Sequence, residues 1–244
     1  MIPKIIHYCW LGRKPKSELV VKCMDSWKKY APSYKVLEWN EDNFPFDEIE
    51  CHYVDEAVQA QKWAFVTDYM RLYVLEKIGG VYLDTDVELC KSLDVFLKEN
   101  SFMGFESQYT ICTAVIGAEK NSDWISYLLN LYNQRAFYCI DGKYDQTPNT
   151  KFIVKVLQEK YGLKDNDGEH QWLSCGLHVY PSDYFSPKNY ATMQMRITKN
   201  TCAIHHYNAT WKTTLSKIKD QIVAVGARLF GEEIIEVLKR KIKK

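Results

Sequence analysis

The chain lacks most of the features that assign a sequence to a simple class at sight. Its 244 residues hold no internal repeat and no low-complexity linker. Cysteines stand at 9, 23, 51, 90, 112, 139, 175 and 202, yet none forms a CxxC pair and their spacing is irregular. That excludes a zinc ribbon and argues against a disulfide framework, so reduced thiols are expected. No apolar run approaches the ~20 residues that a membrane span needs. The opening "MIPKIIHYCWLG" is too short and too broken for a secretion signal. A cytoplasmic protein is the expectation. The formal net charge is only +1, which argues against nucleic-acid binding by bulk charge.

A full core is within reach, because hydrophobic residues make up 46% of the chain. Residues 4–10 read as a buried first strand. Residues 17–30 read as a helix, with Leu19, Val20, Cys23, Met24 and Trp27 at helical spacing. A second strand is expected over 34–39. Asp55 is a plausible cap for a long helix over 56–77, and Gly79 is its natural stop. Strands at 81–84, 102–105 and 112–117 and helices at 122–135 and 149–161 follow. This alternation predicts an α/β domain over 1–214 with a mostly parallel central sheet flanked by helices. Residues 215–244 differ. Leu215, Ile218, Ile222, Val225 and Leu229 share one helical face, and the segment carries a charge of +4 against −3 for the rest. It reads as an amphipathic basic tail, suited either to packing as a terminal helix or to lying on an anionic membrane surface.

The chemistry is concentrated in "GGVYLDTDVEL", residues 79–89. An apolar strand ends on Asp84 and Asp86. In open α/β sheets ligands bind beyond the carboxyl ends of strands. Residues i and i+2 of an extended chain point the same way, so both carboxylates can face one point. Two like charges that close are costly without a cation, and Mg2+ or Mn2+ takes carboxylate oxygens while keeping positions open for phosphate. An isolated DxD can equally be a turn with two solvated acids, so its neighbours matter. Asp68 and Arg71 sit three apart on a core-facing helical stripe, as a rim salt bridge or as a pair aimed at ligand hydroxyls. Trp10 ends the first strand, where an indole can stack on a planar base or pack in the core. His205 and His206, in "AIHHYNATW", offer a late metal ligand or a structural pair.

Together "IPKIIHYCWLG", "KWAFVTDYMRLYVLEKIGGVYLDTDVE" and "AIHHYNATW" resemble the DXD-motif sugar transferases of glycosyltransferase family 32. Relatives of that family include capsular polysaccharide synthesis proteins, yeast initiating mannosyltransferases and the glucosylating domains of large clostridial toxins. The resemblance spans roughly residues 2–211. It implies a GT-A fold and metal-dependent, retaining transfer of a hexose from a nucleotide sugar to a glycan hydroxyl. By position, it gives Trp10 to the nucleotide base, and Asp68 and Arg71 to donor sugar hydroxyls. Tyr82 and Asp84 fall to the ribose and sugar, Asp86 to the metal with Asp84, His205 or His206 to the metal or diphosphate, and Trp211 to the leaving group. The family's "TGP" stretch is replaced here by "DQTPNTKF", residues 145–152, where Asp145, Gln146 and Asn149 are candidates for the reacting face.

The expected cofactor is Mn2+ or Mg2+, with a donor that is a uridine diphosphate sugar. The expected partners are that donor and a glycan acceptor of a capsular or other surface polysaccharide, lipid-linked if the basic tail lies at the inner membrane face. No enzyme nucleophile is evident near the motif, which favours front-face attack. Two rivals are a haloacid-dehalogenase-like phosphohydrolase, with Asp84 as nucleophile, and a binding module that has lost catalysis. Some eighty residues precede the motif, where that phosphohydrolase class would open with it. The intact DxD, Asp68–Arg71 pair and histidines argue against the second.

Overall fold

The computed structural model describes residues 1–208 and Val225. Apart from Val225, the expected basic tail over 215–244 lies outside the described residues, as does Trp211. Strand β1 (Ile5–Cys9) leads to helix α1 (Glu18–Tyr30), whose first turn is capped by Ser17 accepting from the Val20 N–H. Strand β2 (Lys35–Trp39) then pairs in parallel with β1. The long helix expected over 56–77 is in fact two. Helix α2 (His52–Gln59) and helix α3 (Trp63–Ile78) are separated by a turn, and Asp55 lies inside the first turn of α2. The break is a Schellman-type ending. Gln61 adopts φ 52°, its N–H donates to Val58 O, and the Lys62 N–H donates to Ala57 O. Glycine is the usual residue there, so the sequence gives little warning.

Strand β3 (Gly80–Leu83) follows α3 at once. Next come β4 (Val87–Leu89), β5 (Ser101–Ser107), β6 (Thr110–Ala118), α4 (Asp123–Asn133) and α5 (Asn149–Tyr161). The chain then adds β7 (Gln171–Trp172), β8 (Leu177–Tyr180), α6 (Ser182–Phe185) and β9 (Ala203–His205). The main sheet has the order β2-β1-β3-β6-β5-β8-β7. Its pairings make five strands run one way, with β6 and β7 opposed. A second, two-stranded sheet joins β4 to β9.

Each face of the main sheet has its own core. One contains Val66, Met70, Leu72, Trp124 and Ile153 from the helices. The other contains Trp27, Val87, Leu89, Phe96 and Phe185, and so packs α1 and the small sheet against the large one. Helix α3 is buried on several sides, which fits its nearly continuous apolar sequence. Its exit requires the glycine pair. Gly79 has φ 76°, and Gly80 has φ 124° with Ile5 O and His7 Nε2 within 3 Å of where a Cβ would stand.

His7 fixes this junction. Trp39 Nε1–H donates to its Nδ1 at 3.0 Å, so the ring proton resides on Nε2, which donates to Gly79 O at 2.9 Å. The ring is fully buried, and burial lowers its pKa to about 4, only partly opposed by the Gly79 bond. The unfolded chain therefore binds a proton below pH 6.5 that the folded chain refuses until about 4. Stability from this group is present above 6.5 and lost as pH falls toward 4, by up to about 3 kcal/mol. The expected result is a His7 ring 15N titration with a midpoint near 4; a midpoint near 6.5 contradicts this assignment.

Candidate active site

Strand β3 ends at Leu83, and Asp84 N–H makes one more ladder bond to Ala114 O at 2.9 Å. The chain then turns, with Val87 N–H donating to Asp84 O at 3.0 Å. Asp84 and Asp86 thus converge through a tight turn, and not through the alternation of an extended strand. Beyond the turn β4 pairs antiparallel with β9, and the register sets Val87 opposite His205. His206 N–H donates to Asp86 O at 3.0 Å, and Asn208 N–H to Asp86 Oδ2 at 2.7 Å. This ladder carries a histidine from more than a hundred residues downstream to the aspartate turn.

The adjacent histidines separate. His205 presents Nε2 at 3.4 Å from Asp86 Oδ1, and its ring packs on Tyr207 at 4.1 Å. His206 turns to Glu88, with Nε2 2.8 Å from Oε2, and Lys22 holds the same carboxylate at 2.9 Å. Opposite facing of neighbouring strand residues explains the split. Ligand atoms of Asp84, Asp86 and His205 lie within 4.8 Å of one another, the one cluster of three such side chains among the described residues. His205 Nδ1, on the ring edge away from Asp86, is buried, and the Cys112 thiol interacts with the ring. Two carboxylates and an imidazole fit a divalent cation such as Mn2+.

The electrostatics follow from this crowding. Burial works against both charged partners, but the His205 contact outweighs it and holds the Asp86 carboxyl below its ordinary value. The same pairing, against burial, raises the His205 ring well above that of free histidine. Lys188 donates to His206 O at 2.8 Å, and burial lowers its pKa although Asp86 opposes this.

Arg71 ties the second half of the site together. Its guanidinium donates to Thr67 O, to Thr113 O at 2.7 Å and to Asp68 Oδ1 at 2.9 Å. It lies 3.3 Å from Asp84 Oδ1 and 4.8 Å over the Tyr82 ring. Tyr82 is buried and donates its hydroxyl to Asp84 Oδ1 at 2.9 Å. Arg71 and Tyr82 therefore orient Asp84. Burial raises the Asp68 carboxyl, and Arg71 pulls it back. Asn149, the first residue of α5, also donates to Asp68 Oδ1, at 3.2 Å, and its own carbonyl accepts from Tyr132. So the altered "DQTPNTKF" stretch does deliver Asn149 to the pair.

The remaining candidates are placed as follows. Asp145 forms an ion pair with Arg135 at 2.6 Å, and Gln146 is exposed. Trp10 donates its indole N–H to Lys14 O at 2.7 Å, with the Lys16 ammonium 5.4 Å from the ring. Sequence reasoning passed over Glu106. It ends an apolar strand beside His205 and Tyr207, and burial raises its carboxyl. Its one signal is an acid in an otherwise buried run, "FMGFES". Thr113 O and Asn208 N–H were beyond reach, being backbone groups that any residue could supply.

Residues 17–103 match the family model described as a glycosyltransferase sugar-binding region containing DXD motif. An uncharacterized glycosyltransferase of Acanthamoeba polyphaga mimivirus is 28% identical over 229 residues, covering 90% of this chain and 87% of that protein. Inositol phosphoceramide mannosyltransferase 3 of Schizosaccharomyces pombe is 26% identical over 142 residues, which is 56% of this chain but only 38% of the yeast protein. Among solved structures, the PaToxG glycosyltransferase superposes with a TM-score of 0.50 at 19% identity, over 65% of this chain and 69% of that one, a likeness of fold. The chain is a glycosyltransferase of GT-A fold that carries the DXD-motif sugar-binding region.

Proposed function

We propose that this glycosyltransferase moves a hexose from a nucleoside diphosphate sugar, a uridine diphosphate sugar by preference, to a hydroxyl of a surface glycan such as a capsular polysaccharide. The observation that carries this reading is the convergence of Asp84, Asp86 and His205 at the carboxyl end of β3. These three would hold a divalent cation, Mn2+ or Mg2+, which when bound offsets charge on the departing diphosphate. Tyr82 and Arg71 fix Asp84 from behind. Asn208 N–H fixes Asp86. Asp68 accepts from Arg71 and Asn149 through Oδ1, so its Oδ2 is the atom with which to accept a donor sugar hydroxyl. Trp10, its indole N–H held by Lys14, offers a ring face to the base. Trp211 belongs with the leaving group in this reading.

Retention of configuration by front-face attack is the stereochemical proposal. Two candidate acids support it. Asp145 is held by Arg135 and Asp68 by Arg71, and an ion-paired carboxylate is a poor nucleophile. The Asp68 and Asp145 neighbours and the sheet order give Asp84 no counterpart of a first-strand phosphohydrolase nucleophile, because β3 follows two strands and three helices. The basic pattern of 215–244 supports a cytoplasmic enzyme that meets a lipid-linked acceptor at an anionic leaflet. Flotation with anionic vesicles should be lost when 215–244 is deleted, and equal flotation ends that part of the proposal.

Turnover tests the core of it. With Mn2+ present, the chain should hydrolyse or transfer from a uridine diphosphate sugar, and NMR should show a retained anomer. Asp86→Asn should lower kcat by about 10²–10³-fold, the usual loss on removing a charge-stabilising element. An unchanged rate in that variant, or an inverted product, contradicts the reading.

A further inference from the structure

A second pair of histidines lies elsewhere, at the sheet edge where β7 pairs with β8. That edge is three strands from β3, on the order of 14 Å across the sheet. His178 sits in β8 opposite Trp172, and His170 directly precedes β7. His170 Nδ1 and His178 Nε2 are 3.0 Å apart. The far nitrogens both meet oxygens. His178 Nδ1 is 3.2 Å from Glu99 Oε1, and His170 Nε2 is 3.3 Å from the Tyr184 hydroxyl. Glu99 is itself anchored by the Tyr180 hydroxyl at 3.3 Å. The plane of His178 is set by stacking between Trp172, 4.3 Å away, and Tyr180, 3.8 Å away.

Proton bookkeeping gives this geometry its meaning. The Glu99 carboxylate can only accept, so the His178 proton is on Nδ1 and Nε2 presents a lone pair. In the metal-free chain His170 Nδ1–H donates to His178 Nε2 and the Tyr184 hydroxyl donates to His170 Nε2; a cation would displace the shared proton, leaving His170 with its N–H on Nε2 and Tyr184 as acceptor. Ligating histidines characteristically pass their other N–H to a carboxylate or similar acceptor, and His178 does so here. The separation is close to that of two ligands at a right angle. Two nitrogens at ~2.1 Å from an ion are roughly 3.0 Å apart at a right angle but about 3.4 Å apart at a tetrahedral one.

We propose that His170 Nδ1 and His178 Nε2 form a two-nitrogen site for a late first-row divalent cation of tetragonal preference, Cu2+ or Ni2+, separate from the Asp84–Asp86–His205 cluster. Glu99 is its positioning residue. An ion there would clip the two-residue edge strand β7 to β8, with the exposed side of His170 leaving positions open to solvent.

The test is electron paramagnetic resonance of the full, tag-free chain with one equivalent of Cu2+ at pH 7. The expected spectrum shows two equatorial nitrogens, retained in Asp86→Asn and reduced in His170→Asn, whose exposed position leaves the fold intact as checked by circular dichroism. Glu99→Gln should raise the Cu2+ Kd about 10–100-fold. A spectrum with fewer than two nitrogens, or one that His170→Asn leaves unchanged, overturns the proposal and assigns the 3.0 Å contact to a shared proton.

Discussion

Negative charge gathered at the end of one strand is the constraint around which this site is built. Asp68, Asp84 and Asp86 stand close together and largely out of water, where like charges repel strongly. The fold answers with cations on two sides. Arg71 is buried between Asp68 and Asp84 and is itself pinned by backbone carbonyls of α3 and β6. His205 meets Asp86 from the opposite side, carried there by the β4–β9 ladder. One side is permanent, since a guanidinium does not lose its proton. On the proposed function, the other side is where an exchangeable cation would sit, and that asymmetry would suit the uptake and release of a charged diphosphate.

The architecture explains how distant segments reach this point. β3 runs between β1 and β6, so its carboxyl end opens beside the β1–α1 loop that holds Trp10 and beside the Thr113 carbonyl. Helix α3 hands Asp68 and Arg71 to the same place because Gly79 and Gly80 let the chain reverse directly into β3. Helix α5 brings Asn149 at its first turn. Packing on both faces of the sheet therefore converges on the geometry of a few polar atoms, and the buried Tyr82 hydroxyl is the link between core and chemistry.

Much of this was legible from residues alone. Strand–helix alternation gave the α/β class, and the first-half strands fall within a residue or two of their expected bounds. The aspartate pair stood out only together with its neighbours, because an isolated DxD can also be a turn with two solvated acids. Other features were hidden for identifiable reasons. The break between α2 and α3 depends on Gln61 taking a conformation usually given to glycine. β4 and β9 have three residues each, and their pairing closes a loop of over a hundred, so no local pattern announces them. The choice between His205 and His206 is a matter of register, which shifts with a single residue. The spacing of Asp68 and Arg71 left a salt bridge and a ligand-facing pair both open; Arg71 does bond Asp68, and its bond to the Thr113 carbonyl and its approach to Asp84 are long-range contacts that spacing does not reveal.

The central claim concerns a cation held by the aspartate turn and His205, and it is open to direct observation. Mn2+ can be titrated into the full chain with uridine diphosphate present, and free ion followed by its paramagnetic resonance signal. The account predicts one tightly held ion per chain, with affinity at least ~10-fold lower in His205→Gln. Equal binding by the wild-type chain and by variants of Asp84, Asp86 and His205 would contradict it.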